Sequence, residues 1–439
     1  MPTTRIAAVL AALVSALLLA ACGGGEDGGG GGGNAGTEDG GQTKGAKVVD
    51  PGSMDGAKGQ VVYCGGKDVT GRRSAALKAF NEKSKAQGLS AKLLEFPESA
   101  DEQRQQFIQR QRAKSGECDV FASDVVWTAE FATQKWLMDL SPYMEGRESE
   151  FIPSTLETAR YDGKLWGAPE TSNAGFLYYR TDAIDSPPTS WQQAYELAKS
   201  SNPKGIVYQG AAYEGLTVDF LELAFAAGGK VLSDDGTKSE FDSPENVKAL
   251  QFMVDGIKEG AAPKAVTTYM EEPARRAFEN GRAALMRNWP YAYDLGQEAP
   301  KVKGKFKVMP YPEFEGGGKA GILGGANLVI SAFSKNPGGA LALLDFLSSE
   351  EANVIYANTA SPPVLTKSYE DPAIKDKLPF ADELKEAIGQ AKPRPVSPVY
   401  PLISEAIYEN VNKALSGEMS PQDAIKAADS GITKALATF

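Results

Sequence analysis

Three aromatic side chains surround one proline in the second half of the chain. Trp289, Tyr291 and Tyr293 flank Pro290, and the apolar run at 283–286 before them is typical of a buried strand. Proline lacks a backbone donor and ends such a strand, so the rings are expected where a sheet edge opens into a cleft. An aromatic face is rigid and weakly polar, and it suits the C–H faces of a sugar ring. Core packing is the alternative for each ring alone, but three rings around one proline favour a ligand wall.

Two charged side chains are placed to hold the hydroxyl groups of a ligand. Asp124 follows a predicted strand at 119–122, and a carboxylate accepts hydroxyl protons. Arg394 stands between two prolines, which would present its guanidinium fork rigidly. Each residue also has a structural alternative: Asp124 as the N-cap of the next helix, and Arg394 as one half of a salt bridge.

Weaker candidates lie in two glycine-containing segments. Lys67 and Asp68 follow the predicted strand at 61–63, and Asp68 is equally suited to cap the helix after it. Gly324 and Gly325 would let the backbone approach a ligand closely, because glycine has no side chain.

The elements that position these residues alternate between strand and helix. Strands are predicted at 61–63, 92–96 and 119–122, with helices at 72–87 and 98–114 between them. Such alternation indicates a parallel sheet with helices on both faces. Ligands meet such sheets at the loops after the carboxyl ends of the strands. This rule places the loops 65–68 and 123–124 on one wall of a cleft.

A second α/β block is predicted over 170–305, after an extended crossing at 165–170. Its strand at 177–179 is followed by helices at 191–199, 219–228 and 244–258. A return crossing is expected at 308–310. The remaining elements are a strand at 328–330, helices at 337–348, 403–415 and 421–437, and a further crossing near 358–363. Two lobes joined by several crossing segments form a hinge that can close over a ligand.

The amino terminus indicates where the protein works. An apolar run of 16 residues, Ile6 to Ala21, is too short to span a bilayer comfortably and suits a signal peptide. It ends in Leu19-Ala20-Ala21-Cys22, which resembles the bacterial lipobox, so Cys22 is the predicted lipidation site; a plain signal peptide is the alternative. The glycine-rich stretch that follows cannot bury enough apolar surface to fold and is expected to act as a tether.

The predicted domain organisation follows from these segments. Residues 1–21 are the signal peptide, and 22–57 the lipidated cysteine and tether. Residues 58–166 plus 308–358 form lobe 1, and 167–307 plus 359–439 form lobe 2.

Composition excludes several classes of function. The chain has 439 residues, too many for one core, and a net charge of −11 without a basic stripe, which argues against a nucleic-acid partner. It contains no histidine, which excludes Ser-His-Asp and Cys-His catalysis and histidine-containing metal sites. We predict neither a metal nor a cofactor.

The cysteine pair Cys64 and Cys118 invites a disulfide in an exported protein. However, Cys64 ends one predicted strand and Cys118 precedes another. If these strands are parallel neighbours, the cysteines lie roughly 10 Å apart, beyond the reach of about 7 Å that a disulfide needs. We therefore expect two free thiols.

Many ordered segments of the chain resemble the trehalose- and maltose-binding proteins, which are solute receptors of ABC sugar importers. The resemblance covers nearly the whole mature chain and is less specific for the sugar than for the superfamily. It rests on the segments 100–104, 124–127, 175–180, 213–216, 244–255, 267–273, 281–293 and 394–401.

The resemblance implies a type II periplasmic-binding-protein fold. Each of its two lobes would be a mainly parallel α/β sheet flanked by helices, and several crossing segments would make the hinge. It implies a lipid-anchored, monomeric receptor outside the cell membrane. Such a receptor is not an enzyme. It would bind a disaccharide or oligosaccharide between its lobes and deliver it to a membrane permease.

Positions that match the family's ligand contacts are Asp124, Arg394, Trp289 and Tyr291. Tyr213 and Glu214 are weaker candidates, and Glu271 is weaker still. The chain departs from the family at three positions: Asn173 stands where the family has an aspartate, and Thr171 and Ala326 replace aromatic residues. Losing two aromatics opens space and removes stacking surface, so a longer or differently linked sugar than trehalose is expected to fit.

Two other function classes use similar residues. A receptor for a cation such as a polyamine would also combine acids and aromatics, although Arg394 argues against it. A secreted glycosidase would need two carboxylates on opposite sides of the scissile bond, and no such pair can be placed from the sequence.

Overall fold

The strands of the protein form two mixed sheets, each with its own hydrophobic core, in a computed structural model that describes residues 41–439. The first sheet has the order β12-β11-β3-β1-β2, with β6 also paired to β11. The second has the order β10-β7-β9-β8, and β4 and β5 form a small hairpin. We call the first sheet with its helices the first lobe, and the second sheet with its helices the second lobe.

The strand bounds are β1 Gly59–Gly66, β2 Leu89–Phe96, β3 Val120–Asp124, β4 Arg160–Tyr161, β5 Lys164–Leu165, β6 Ala168–Ala174, β7 Phe176–Arg180, β8 Ile206–Val207, β9 Leu285–Asn288, β10 Phe306–Met309, β11 Gly321–Ile330 and β12 Ala391–Lys392. The helices of the first half are α1 Arg72–Ser84, α2 Ala100–Arg112, α3 Thr128–Thr133, α4 Ser141–Met144, α5 Pro153–Glu157, α6 Trp191–Ser200 and α7 Glu214–Ala226. Those of the second half are α8 Pro244–Lys258, α9 Glu271–Glu279, α10 Ala292–Glu298, α11 Pro337–Leu347, α12 Glu350–Ala357, α13 Pro372–Lys375, α14 Ala381–Gln390, α15 Tyr400–Ser416 and α16 Pro421–Leu436.

Serine caps set the start of several helices. Ser190, Ser243, Ser349 and Ser420 each precede a helix, and each side-chain oxygen accepts a hydrogen bond from a backbone N–H in the first turn. Such a cap satisfies one of the donors that a helix start leaves without a partner. Proline follows Ser243 and Ser420, where its missing N–H costs nothing. These local signals explain why α8 and α16 begin where the sequence predicts.

The alternation expected in the first lobe is confirmed. β1 pairs in parallel with both β2 and β3, and α1 and α2 connect these strands. The long strand β11 then runs antiparallel to β3 and β6. In the second sheet β7 is antiparallel to both β10 and β9, so this sheet is less parallel than expected. The expected return crossing at 308–310 begins within β10 of that sheet.

The prediction of two free thiols is wrong. Cys64 and Cys118 form a disulfide with a Cα–Cα distance of 5.9 Å. The distance of roughly 10 Å assumed that Cys118 continues β3 in an extended conformation. β3 starts only at Val120, and the chain bends at Glu117 and Asp119 before it, so that assumption fails. Both cysteines are buried in the same cluster as Phe107, Phe121 and Phe131. A disulfide of this kind is typical of proteins outside the cytoplasm.

The predicted tether extends too far into the chain. Thr43 is buried, and its backbone N donates to the Asp162 carboxylate at 3.0 Å. A short 3-10 helix, Pro51–Met54, packs against α11, and Val49 is part of the first lobe's core. Residues from 43 to 57 therefore belong to the folded body. Cys22, the signal peptide and the first part of the tether lie outside the described residues, and none of the helices in 41–439 has the length and apolarity to cross a membrane.

Candidate ligand cleft between the lobes

The middle of β11 forms the meeting point of the candidate site. Ala326 pairs with Asp124 of β3 on one side and with Thr171 of β6 on the other. Two residues earlier, Gly324 pairs with Asn173. The strand therefore brings together residues that are more than 150 positions apart from their partners on β11 in the sequence. Both positions where the chain lacks an expected aromatic, Thr171 and Ala326, are cross-strand neighbours.

The glycine pair in β11 is required by packing within the protein. Gly325 has a φ of +129°, and a Cβ there would lie 2.1 Å from the Thr171 carbonyl oxygen. A Cβ on Gly324 would lie 2.9 Å from two ring carbons of Trp289. A side chain at either position is therefore excluded by β6 and by Trp289. Direct contact of Gly325 with a ligand stays a prediction.

Trp289 extends from the second lobe to the first. Its half-buried ring packs against the second lobe's core and lies against Gly324 of β11. The Arg287 guanidinium lies over the ring, 4.2 Å from its centroid, which is the geometry of a cation–π contact. The backbone N of Trp289 donates to the Asn288 side chain at 2.8 Å, which fixes the turn that follows β9. Trp289 thus lies where the two lobes meet, and its role as a stacking face for a ligand stays a prediction.

The other two aromatics of the motif have different roles. The Tyr291 hydroxyl donates to Glu272 at 2.8 Å, so Tyr291 is tied to α9. The Tyr293 ring packs on Phe306 and Phe380, with centroid distances of 5.4 and 4.9 Å. Tyr293 is therefore a half-buried residue that packs against the second lobe's core, which agrees with the packing alternative considered for each ring.

A half-buried carboxylate lies at the start of α9, the helix before the strand that leads to the tryptophan. The hydroxyl of the buried Tyr213 donates to Glu271 at 2.6 Å. Burial raises the pKa of Glu271, against hydrogen bonds from the side chains of Tyr213 and Trp289, which lower it. Asn288 connects this pair to the backbone of Trp289, because its amide N donates to the Glu271 carbonyl oxygen at 3.2 Å and its amide O accepts from the Trp289 N at 2.8 Å.

Arg394 bridges the two lobes. It donates to Glu214 of α7 at 2.6 Å and to Asp124 of β3 at 3.2 Å, and it is 5% exposed. Both carboxylates raise the pKa of Arg394 against the effect of burial, so the guanidinium stays charged. The salt-bridge alternative for Arg394 is confirmed, and the bridge crosses the candidate cleft.

Glu214 is held more tightly than a loop residue would be. It is the first residue of α7, where its side chain also accepts from the hydroxyls of Tyr400, at 2.7 Å, and Ser404. Burial raises the pKa of Glu214, and Arg394 opposes that rise. An acidic residue at the start of a helix is further stabilised by the helix dipole.

Asp124 and Asp68 both serve as helix caps. The Asp124 carboxylate accepts from the Val126 N at 3.1 Å while it also pairs with Arg394. Its side chain is 23% exposed, so part of it still faces solvent. Asp68 accepts from the backbone N atoms of Arg73 and Ser74 at 3.2 and 2.8 Å, so the capping alternative is confirmed there too. Lys67 is exposed at the end of β1.

One residue of the site was not identified from the sequence. Asp101, in the first turn of α2, accepts a hydrogen bond from the backbone N of Glu214 at 2.9 Å. This is a second contact between the lobes, next to the Arg394 bridge. Burial raises the pKa of Asp101. In the sequence, the acidic residues of the segment 100–104 indicate only the start of a helix. The contact of Asp101 with Glu214 depends on the tertiary fold and leaves no local pattern.

The chain was then compared with known proteins. The family model described as "Bacterial extracellular solute-binding protein" matches residues 70–354. The chain belongs to this family. A curated relative from Deinococcus radiodurans is described as "Probable ABC transporter-binding protein". It is 34% identical over 371 residues, which cover 80% of this chain and 88% of the relative. Families of this kind act outside the cytoplasm, and their members are binding proteins of transporters.

Solved structures agree with the fold of the solute-binding protein. A maltose-bound structure of MalE3 from T. maritima has a TM-score of 0.81 and 36% identity, covering 85% of this chain and 99% of that one. A solute-binding protein from Thermotoga lettingae, bound with α-D-tagatose, has a TM-score of 0.77 and 27% identity, covering 86% and 99%. The two-lobed α/β fold of maltose-binding-type receptors is therefore confirmed.

Proposed function

We propose that the protein is the substrate-binding component of an ABC sugar importer, and that it captures a disaccharide or oligosaccharide of the maltose or trehalose type between its lobes. The observation that supports this most is the convergence of Trp289, Asp124 and Arg394 on one strand, β11. Trp289 supplies a stacking face, and Asp124, which is still partly exposed, supplies a directional acceptor for hydroxyls, while Arg394 holds that carboxylate in place. The likeness to a maltose-bound protein at 36% identity supports the same ligand class.

The contacts between the lobes provide a way for the ligand to shift the protein between open and closed conformations. Arg394 and Asp101 join the lobes next to the stacking face. A sugar that bridged Trp289 and Asp124 would add contacts present only when the lobes are together. Binding would then shift the population toward the closed form, which a permease can recognise.

The substitutions at Thr171, Asn173 and Ala326 favour a roomier site than that of trehalose receptors. Thr171 and Ala326 are paired across β6 and β11, so both small residues that replace aromatics lie side by side on the sheet. A site that aligns polar groups with particular hydroxyls rejects sugars that leave those groups unpaired. A longer or differently linked glucan fits this arrangement.

We further propose that lipidation at Cys22 anchors the protein, as a monomer, to the outer face of the cell membrane, where it meets the permease. Replacing Cys22 with serine is expected to release the protein from membranes without changing sugar affinity. Fractionation of cells expressing each form checks this. Retention of the Cys22→Ser protein in the membrane fraction would contradict the anchor.

Thermal unfolding in the presence of candidate ligands tests the proposed function. A ligand that binds only the folded state raises the midpoint by mass action. Maltose, trehalose, sucrose and longer α-glucans are compared at equal concentration. We expect at least one of them to raise the midpoint while its isomers do not, and no shift with any sugar would overturn the proposal.

A cationic ligand is the second candidate function. Two carboxylates, Glu214 and Asp124, accept from the Arg394 guanidinium, and a third, Asp101, accepts from the backbone N of Glu214. This excess of acid would attract an amine. Spermidine in the same unfolding assay separates the two candidates, because its binding would weaken steeply with added salt and that of a neutral sugar would not.

A further inference from the structure

The half-buried ring of Trp289 has two faces, and they have different surroundings. One face is covered by the Arg287 guanidinium, whose central carbon is 4.2 Å from the ring centroid. The outer edge of the ring, at Cζ3 and Cη2, is turned toward Gly324 of β11, since a Cβ on that glycine would lie 2.9 Å from both atoms. A sugar that stacks on Trp289 can therefore use only the face opposite Arg287.

Arg287 has little freedom of its own. It is 2% exposed, and it pairs with two carboxylates of α7, Asp219 at 2.9 Å and Glu222 at 2.5 Å. A third contact comes from Gln209, whose side-chain oxygen accepts from Nη1 at 2.9 Å. All three nitrogens of the planar guanidinium are thus engaged, and these partners fix the plane that lies over the ring.

This fixed cation has a physical effect on the tryptophan. A half-buried ring that nothing held would sample several orientations, and a ligand would have to order it on binding. Ordering a side chain costs affinity, so a ring that is already held binds its ligand more tightly. A cation is attracted to an aromatic face, and the attraction is stronger when the pair is removed from water, as it is at the buried Arg287.

We propose that Arg287 is a positioning residue of the sugar site, which holds the plane of the Trp289 ring and leaves one face of it for the ligand. This inference rests on the proposed function, because it concerns the same stacking face. Arg287 does not contact the sugar itself, since the ring lies between them. Asp219 and Glu222 then affect sugar affinity only through the guanidinium that they hold.

Lysine at position 287 separates stacking from charge. An ammonium group can still pair with Asp219 or Glu222, but it has no plane that matches the ring. Arg287→Lys is therefore expected to weaken maltose binding about tenfold, which is the cost of ordering one side chain on binding. Calorimetric titration of the full chain with maltose measures this change.

Arg147 provides a matched control in the first lobe. Its guanidinium lies over the Tyr143 ring, 4.6 Å from the centroid, and it also pairs with two carboxylates, Asp345 and Glu150. The arrangement repeats that of Arg287 on another aromatic residue, and none of its members belongs to the candidate site. Arg147→Lys is expected to leave the affinity for maltose unchanged.

A double-variant cycle shows whether Arg287 acts through the tryptophan. Trp289→Leu removes the ring and keeps an apolar side chain. In that background Arg287→Lys is expected to change the maltose dissociation constant by less than about twofold, because no ring remains to be positioned. An equal tenfold loss in both backgrounds would overturn the proposal.

The order of the ring is measured without any ligand. The chain contains five tryptophans, so ¹⁵N-labelled tryptophan gives five indole signals, and Trp289→Leu identifies the signal of Trp289. In relaxation measurements, Arg287→Lys is expected to make this indole more mobile and to leave the others unchanged. An equally rigid indole in the variant would overturn the proposal. A more mobile one supports it even if maltose fails to bind the wild type, which would count against the proposed sugar alone.

Glu222→Gln keeps the arginine, in case its replacement unfolds the protein. Arg287 then retains Asp219 and loses one of its two anions. Because the guanidinium is held less firmly, we expect the same losses of maltose affinity and ring order as in Arg287→Lys, but smaller. Unchanged affinity and unchanged ring order in a folded Glu222→Gln protein would overturn the proposal.

Discussion

Each lobe buries an arginine network directly behind its part of the candidate cleft, and the two networks have opposite charge balance. In the first lobe, Arg72 and Arg73 both pair with Glu170, at 3.7 and 3.2 Å. In the second lobe, Arg287 alone pairs with Asp219 and Glu222. Glu170 is next to Thr171 of the first wall, and Arg287 is two residues before Trp289 of the second.

The charge balance shifts the pKa values of the two buried carboxyl groups in opposite directions. Burial opposes the charge of Glu170, but Arg73 and Arg72 lower the pKa of Glu170 to about 2. Burial raises the pKa of Asp219 well above its ordinary value; Arg287 opposes this rise and Glu222 adds to it. Surplus cation thus favours the charged form of Glu170, whereas burial and a second acid disfavour the charged form of Asp219.

The same acid-to-amide change should therefore have unequal effects in the two lobes. Glu170→Gln leaves two guanidinium groups without their anion and is expected to lower the free energy of unfolding by about 3 kcal/mol or more. Asp219→Asn leaves Arg287 paired with a second anion, Glu222, and is expected to cost less, about 1 kcal/mol. Urea denaturation of both variants measures the difference. Equal losses would show that charge balance does not distinguish the networks.

Acid denaturation of the wild type sharpens the comparison. The folded pKa of Glu170 is below its unfolded value of about 4.5, so its stabilisation is present above that pH and is lost as pH falls toward about 2. This loss amounts to about 3 kcal/mol. Asp219 acts with the opposite sign, because its raised pKa makes the folded state gain stability as it takes up a proton.

The unfolding free energy is measured at intervals from pH 7 to pH 2 for wild type and Glu170→Gln. The variant is expected to show a shallower decline below pH 4.5 than the wild type. Parallel curves for the two proteins would mean that another group causes the acid sensitivity.

The second lobe's wall is tested by removing its tryptophan. Trp289→Ala is expected to weaken sugar binding by at least about 2 kcal/mol while leaving the fold intact, because buried aromatic anchors carry much of a ligand's affinity. Trp136→Ala is the matched control, since Trp136 is also half-buried but packs on Phe131 in the first lobe. Calorimetric titration and circular dichroism check affinity and fold. Equal sugar affinities of the two variants would show that Trp289 does not contact the sugar.

The first lobe's wall is tested by restoring what the family has there. The double variant Ala326→Trp and Asn173→Asp is expected to shift preference toward trehalose or maltose relative to longer glucans. Losing or gaining complementary groups in a sugar site changes selectivity by roughly tenfold or more. An unchanged ranking of sugars would show that these positions do not set specificity.

Much of the fold could be predicted because its signals are local. The Ser-Pro start of α8 and the apolar spacing of α11 are visible within a few residues. The disulfide was not predicted, because the bend before β3 at Glu117 and Asp119 leaves no pattern that the strand spacing reveals. The same holds for the antiparallel pairing of β7 with β9, since strand direction depends on connections rather than on composition.

The candidate site was predicted less completely than the fold. Asp124, Arg394 and Trp289 have chemistry that is recognisable in the sequence, and the structure brings them together at β11. The structural reason for Gly325 was not recognisable, since its positive φ and the Thr171 carbonyl oxygen that leaves no room for a Cβ are both set by the pairing with β6. Asp101 was missed for the same reason: its partner, the Glu214 backbone, is 113 residues away.

The central claim, that a sugar binds between these two walls, is tested most directly by a calorimetric titration with maltose. Wild type is compared with the double variant Asp124→Asn and Trp289→Ala, which alters one residue of each wall and keeps the helix cap at 124. The account predicts one bound sugar per wild-type chain and no measurable heat from a folded double variant. Equal affinity of the two proteins for maltose would contradict it.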